Sequence, residues 1–313
     1  MLDLSVSWET TQPHHVQLPD GPQLAGMPSG ISADGQDWIV IAYATCYVFN
    51  FQNSSWSVVS TDNPITHSER AGYSGVTDPD TGFFYVPNYL QSAQESPMLE
   101  LDIKAMKINS VPMPAFISAG NNLFGVAWSA ANKAMFYYGQ QVYRGQLEND
   151  TVSVFNPSVG WTSPKTSGVV PPIRVDPCFV SADGGRKMIL FGGYSRKTGG
   201  TLGDIYILDV TTYTWTAGPS LPSPNLSRSG VACGVSNNQL IIWGGANDNP
   251  ESTTIVSNEP LIFDLKTNKW ASSYTAPVPS TPLANSGNGK GDNSLIAIIL
   301  GSVIGVLVVG LVV

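Results

Sequence analysis

Short apolar runs separated by small polar turns fill most of this chain, and over residues 177–270 they form one pattern written twice. The first copy reads PCFVSADGGRKMILFGGYSRKTGGTLGDIYILDVTTYTW, and the second ACGVSNNQLIIWGGANDNPESTTIVSNEPLIFDLKTNKW. Each holds an apolar run, a polar turn, a second apolar run ending in a Gly pair, a loop, a third run ending in Asp, and a turn that closes on Trp. Gly192-Gly193 recurs as Gly244-Gly245, and Asp209 and Asp264 each stand six residues before a Trp, Trp215 and Trp270. Runs this short, bounded by Gly, Asn and Asp, predict strands rather than helices. Each copy therefore predicts a four-stranded antiparallel unit.

The closing Trp can be followed back through the chain as Trp161, Ile108, Trp56 and Trp8, at spacings of 48, 52, 53, 54 and 55 residues from Trp8 onward. A period of about 50 residues with four strands per unit is the pattern of kelch-type propellers. On FGGY, WGGA and the Asp-x5-Trp spacing, residues 1–275 resemble a fungal-type kelch-repeat ectodomain. The expected fold class is all-β: a propeller of about six blades ending near Trp8, Trp56, Ile108, Trp161, Trp215 and Trp270. The first blade is incomplete. In the earlier units Ala42-Tyr43-Ala44, Val86-Pro87 and Gly139-Gln140 replace the Gly pair.

Asp34-Gly35 and Asp183-Gly184 lie between apolar runs, where Gly accepts positive φ without steric cost, and predict tight inner-strand hairpins. Residues 75–85 and 126–137 repeat that arrangement. Because a small sheet in a ring is covered on both faces, these apolar residues are expected to form a core between neighbouring blades.

Composition adds that 31 Gly and 23 Pro stand against only 12% charged residues, which suits many strands and turns. A net charge of -8, with no basic cluster longer than Arg196-Lys197, excludes a nucleic-acid partner. Cys46, Cys178 and Cys233 are an odd set, so they cannot all pair within the chain. Counted from the Arg before each inner strand, Cys178 is four residues on and Cys233 five, which points them to opposite faces of their sheets. Free buried thiols, not a bridge, are the expectation.

The propeller resemblance extends to a copper radical oxidase acting on galactose, whose chemistry needs two His, tyrosines and a Cys bonded to one ring. This chain offers only His14, His15 and His67, all early, and its repeated Asp residues are explained as turn residues. No enzyme, cofactor or metal site is expected.

Residues 1–8 read as the third and fourth strands of a blade with no signal peptide before them, so the start is expected to be truncated; the alternative is that the last blade borrows these strands to close the ring, although that blade already reads as complete through Trp270. Residues 276–293 are a Pro/Ser/Gly-rich stalk, and residues 294–313 form a run of 20 without a charge. That run is long enough to cross about 30 Å of hydrocarbon as a helix. A lipid-anchor signal, with Ser286 and Gly287 as the small residues upstream, is the other outcome. Gly301 and Gly305 would let two such helices approach closely as a dimer. Asn53, Asn149 and Asn225 begin N-x-S/T sequons in expected turns and loops, which fits a glycosylated, extracellular, single-pass membrane protein.

In a four-stranded meander the loop entering the first strand and the loop joining the second to the third emerge on one face. The kelch resemblance implies that Arg70, Arg174 and Arg228, each just before an inner strand, line a ligand-binding mouth. Binding of backbone carbonyls by these arginines is the competing role. Tyr194, Arg196 and Lys197 lie on the same side in a second-to-third strand loop. Together these residues indicate a binding platform for a protein or glycan partner, with acidic groups suited to the arginines. An oxidase remnant and a tail-anchored cytoplasmic adaptor are the alternatives.

Overall fold

The computed structural model describes residues 1–22, 27–42, 45–60, 74–87, 97–117, 124–139, 141–143, 146–148, 150–249, 252–256 and 258–278. Five four-stranded antiparallel meanders follow one another along it, each named for a residue on its outermost strand. The Trp56 sheet comprises Ser29–Ile31, Asp37–Ala42, Thr45–Asn50 and Ser55–Ser60, and the Ile108 sheet Val76–Thr77, Phe83–Val86, Met98–Asp102 and Lys107–Val111. The Trp161 sheet comprises Gly125–Ser129, Ala134–Tyr138, Ser153–Asn156 and Gly160–Thr162. The Trp215 sheet comprises Cys178–Ala182, Lys187–Phe191, Ile205–Asp209 and Thr214–Ala217, and the Trp270 sheet Ala232–Ser236, Gln239–Trp243, Leu261–Asp264 and Lys269–Ala271. Ser167–Gly168 adds a parallel fifth strand outside Thr214–Ala217.

A single turn explains the Asp-x5-Trp spacing. The Asp209 carboxylate accepts the N–H groups of Thr211 and Thr212 at 2.8 and 3.1 Å. Asp264 accepts those of Lys266 and Thr267, at 2.9 and 2.7 Å. Asp102 does the same for Lys104 and Ala105, and the Asn50 amide oxygen for Gln52 and Asn53. The fourth residue on takes positive φ in each case: Tyr213, Asn268, Met106 and Ser54. The returning strand then sets Trp215 opposite Leu208, Trp270 opposite Phe263, Ile108 opposite Leu101 and Trp56 opposite Phe49. These backbone bonds, from Thr212 and Thr267 above all, hold the Asp209 and Asp264 carboxyls below the usual range.

The core lies between sheets rather than inside one. Phe84 and Leu101 of the Ile108 sheet pack with Ile39 and Ile41 of the Trp56 sheet. Tyr85 and Met98 use the other face, against Met135 and Phe155 of the Trp161 sheet. Phe136 and Val154 meet Leu190 and Trp215, while Ile189 and Phe191 meet Leu240 and Phe263. Strands covered on both faces are apolar almost throughout, as in Lys187–Phe191, where only the lysine is exposed.

Two expectations are corrected. Among the described residues the five complete sheets are present, but the expected incomplete first blade is not, because residues 1–8 do not form a third-and-fourth-strand hairpin. Leu2 bridges His15, and Trp8–Glu9 pairs with Ser273–Tyr274. Leu2, Leu4 and Trp8 are buried against Ala232, Ile241, Ile262 and Tyr274, so this segment satisfies its apolar residues on the Trp270 sheet instead of on itself.

Cys178 and Cys233 form a disulfide, with Cα atoms 6.0 Å apart, and only Cys46 is a free thiol among the described residues. The two cysteines do belong to opposite faces: Cys178 pairs with Phe191, the residue before its Gly pair, whereas Cys233 pairs with Ile242, one position further in. Adjacent sheets of a ring present opposite faces to each other. Opposite orientation therefore brings the sulfurs together, and the spacing lies within bridging range. Burial pushes the Cys46 thiol up to about 11, so it has little thiolate character.

No helix among the described residues is long and apolar enough to cross a membrane, and residues 294–313 lie outside those residues.

Candidate functional site

The second-to-third strand connections of three successive sheets are themselves hairpins. Gln141–Tyr143 pairs with Gln146–Glu148, Tyr194–Ser195 with Gly200–Thr201, and Ala246–Asn249 with Ser252–Ile255. The last two are latched to the segments that lead into their inner strands. Val175 and Tyr194 exchange backbone hydrogen bonds of 2.9 and 2.8 Å, and Ser229 and Ala246 exchange two of 2.9 Å. Thr201 Oγ1 donates to Asn247 Oδ1 at 3.0 Å, and Asn247 Nδ2 donates to the Asn225 carbonyl at 3.2 Å, which ties the second hairpin to the third.

Between the latched segments of the Trp215 sheet lies a cleft of about 600 Å³. Pro172, Ile173, Arg174 and Val175 form one wall; Tyr194, Ser195, Arg196, Lys197, Thr198 and Leu202 form the other. Arg196 and Lys197 are exposed at its rim, Tyr194 is half-buried, and Ile173, Val175 and Leu202 supply apolar surface. Four of the residues singled out in the sequence, Arg174, Tyr194, Arg196 and Lys197, thus meet in one place. Arg228 does not line this cleft, and Arg70 lies outside the described residues.

The arginines leading the inner strands do not present their guanidinium groups to solvent. Arg174 is 1% and Arg228 0% exposed, so an open ring of positive charge is corrected to two buried tie-points. Arg174 Nε donates to the Pro172 carbonyl and Nη1 to the Gly192 carbonyl, both at 3.0 Å. Nη1 and Nη2 grip the Asp204 carboxylate, the second at 2.9 Å, and the guanidinium lies 5.3 Å from the centre of the Tyr206 ring. Burial lowers the Arg174 pKa, but the Asp204 carboxylate together with Tyr138 and Tyr206 outweighs it and holds the pKa above the ordinary value. Burial also pushes the neighbouring Tyr138 hydroxyl up to about 12.

Arg228 reproduces only the bond to the first carbonyl of the Gly pair and takes a different second backbone acceptor. Its Nη2 donates to the Glu259 carbonyl at 2.9 Å and its Nη1 to the Gly244 carbonyl at 3.5 Å, while Nε has no partner among the described residues. Glu259 stands where Asp204 does, five residues before the turn Asp, but it is exposed. Desolvation lowers Arg228 to about 10, with Glu259 opposing it.

The Gly pair belongs to the same linkage. Gly192 and Gly193 have φ of 62° and 91°. Gly193 N donates to the Arg228 carbonyl at 2.9 Å, joining the Trp215 sheet to the next unit. A Cβ on Gly193 would lie 2.7 Å from the Val175 carbonyl oxygen. Both the conformation and the close approach require glycine.

Asp204 escaped the sequence reading because a lone acidic residue in a polar loop carries no signal. Its only clue is the acidic residue at the matching position of the next unit, Glu259. Of the sequons, Asn53 and Asn225 are exposed and Asn149 lies outside the described residues. Among the described residues no cluster of three or more His, Cys, Asp or Glu could hold a metal ion. His14 instead pairs with Asp3, and His15 packs against Trp243.

Residues 125–301, more than half of the chain, match the family model described as KLHDC2/KLHL20/DRC7 Kelch-repeats domain. A Kelch repeat-containing protein of Arthroderma benhamiae is 32% identical over 139 residues, covering 41% of this chain and 20% of that protein. Kelch domain-containing protein 3 of Rattus norvegicus is 29% identical over 124 residues, 38% of this chain and 31% of the relative. Acyl-CoA-binding domain-containing protein 5 of Arabidopsis thaliana is 24% identical over 257 residues, 77% of this chain and 37% of the relative. The chain thus spans well under half the length of these curated relatives.

Proposed function

The chain belongs to the kelch-repeat family, whose domains are generally protein-interaction modules, and from that premise we propose that it is a non-catalytic binding platform displayed at a cell surface. Its site is the cleft between Pro172–Val175 and the Tyr194–Thr201 hairpin, and its partner is a protein or glycan that carries acidic groups. The cleft itself carries this reading. On a chain of net charge -8, Arg196 and Lys197 stand exposed at its rim, beside an apolar lining fixed by backbone bonds on both sides. Guanidinium and ammonium at an apolar cleft favour a carboxylate-bearing group held partly out of water.

Membrane attachment by residues 294–313 and an extracellular propeller complete the proposal. The Cys178–Cys233 disulfide supports it, because such bonds persist in oxidising compartments. Exposed sequons at Asn53 and Asn225 support it too. N-glycosidase treatment of the expressed full chain should increase its gel mobility; an unchanged band from every secretory host tried would favour the tail-inserted alternative.

The binding test is affinity capture from cells with the wild-type chain and with Arg196→Glu/Lys197→Glu. Both side chains are exposed, so the substitutions should leave the thermal midpoint nearly unchanged and remove the acidic partners recovered by the wild type. Equal recovery by the two proteins would move the site away from this cleft.

A further inference from the structure

The outer edges of the sheets are not equally protected. Lys107–Val111 begins with a lysine and is followed by Pro112. Gly160–Thr162 and Lys269–Ala271 are three residues each, and Thr214–Ala217 is covered by the added strand Ser167–Gly168. Charge, proline, shortness and coverage are the means by which sheet edges avoid pairing with other chains. Ser55–Ser60, reading SWSVVS, has none of them: it is six residues long, uncharged and free of proline. All six residues pair with Thr45–Asn50 on the inner side, and no described residue outside the sheet makes a backbone hydrogen bond to it. Val58 is 64% exposed.

We propose that Ser55–Ser60 is a self-pairing edge, through which two copies of the chain join as an antiparallel dimer about a two-fold axis at Val58. The occupant is a second copy because the edge is self-complementary. A two-fold axis perpendicular to the sheet keeps equivalent residues on the same face, as antiparallel pairing demands. With the axis at Val58, Val58 meets its counterpart, Trp56 lies opposite Ser60, and Ser57 lies opposite Val59. Neither Ser55–Ser60 nor its neighbour Thr45–Asn50 contains a charged residue, so no like charges face each other across the join despite the net charge of -8. Valine and tryptophan favour strands, and valine beside tryptophan or valine is a favourable cross-strand combination. Asn53 lies in the preceding turn, outside the paired span, so a glycan there is compatible with the dimer.

The test is cysteine cross-linking in the full chain reconstituted in detergent micelles. Directly opposed residues of antiparallel strands have Cα atoms about 4.5–5.5 Å apart, within disulfide range. Cys46 is buried and the other two cysteines are bonded, so Val58→Cys adds the one accessible thiol among the described residues. Val58→Cys should yield a disulfide-linked dimer on a non-reducing gel. Val159→Cys, in a turn at 76% exposure, should not. Val58→Lys places like charges against each other and should reduce the dimer fraction at least about tenfold without lowering the thermal midpoint. The proposal is overturned if Val58→Cys stays monomeric, if Val159→Cys cross-links equally well, or if Val58→Lys dimerises like the wild type.

Discussion

Replacing Arg174 with alanine is expected to cost about 3 kcal/mol of folding stability, the low end of the range found when one partner of a buried ion pair is removed, because the Asp204 side chain left behind is 34% exposed. The side chain is wholly buried and saturates three acceptors: the Pro172 and Gly192 carbonyls and the Asp204 carboxylate. Alanine would leave those acceptors unsatisfied and open a cavity beside Tyr206. Arg174→Lys should recover only part of the loss, because an ammonium cannot hold the carboxylate by two parallel bonds while reaching both carbonyls. Arg228→Met should cost clearly less than Arg174→Met, because Arg228 is desolvated without a carboxylate partner and with Nε unpaired. Denaturant unfolding of the purified variants measures these differences. A loss below about 1 kcal/mol for Arg174→Ala would place this side chain in the range of surface pairs and overturn its structural role. The same result would restore the expectation that Arg174 serves a ligand-binding mouth rather than its own sheet.

The second large effect concerns the disulfide. Cys178 and Cys233 close a loop with a sequence separation of 55, for which the chain-entropy relation gives about 4 kcal/mol. Cys178→Ala/Cys233→Ala should show that loss in denaturant unfolding, and reduction of the wild type should lower its midpoint to a similar extent. Cys46 is unbonded in both states, so the reduced wild type and the double variant report on one bond. If the wild type unfolded at the same denaturant concentration with and without reductant, the two inner strands would be held by packing alone. Part of the 4 kcal/mol would be masked if the reduced unfolded chain kept residual structure, which a changed denaturant slope would reveal.

The expected all-β propeller agrees with the structure because its signals are local. Alternating apolar runs and positive-φ turns depend on nearest neighbours along the chain, and the turn after Asp209 closes on its own backbone within a few residues. The Gly pair was legible for the same reason. Its partner was not: nothing in residues 192–193 indicates that the Arg228 carbonyl, on the next unit, receives the Gly193 N–H.

The sequence by itself determined the repeated unit, the strand-and-turn order and the side of the fold on which Tyr194, Arg196 and Lys197 emerge. Only the tertiary structure decided the fate of Arg174, the pairing of Cys178 with Cys233 and the packing of residues 1–8 on the last sheet. The last two depend on which face of a sheet meets its neighbour, and strand periodicity alone does not say which two faces those are; the first depends on the loops within one sheet. A guanidinium at a loop entrance becomes a buried tie rather than an exposed ligand when Asp204 of its own sheet lies within reach, and that distance is set by packing between strands thirty residues apart in the chain.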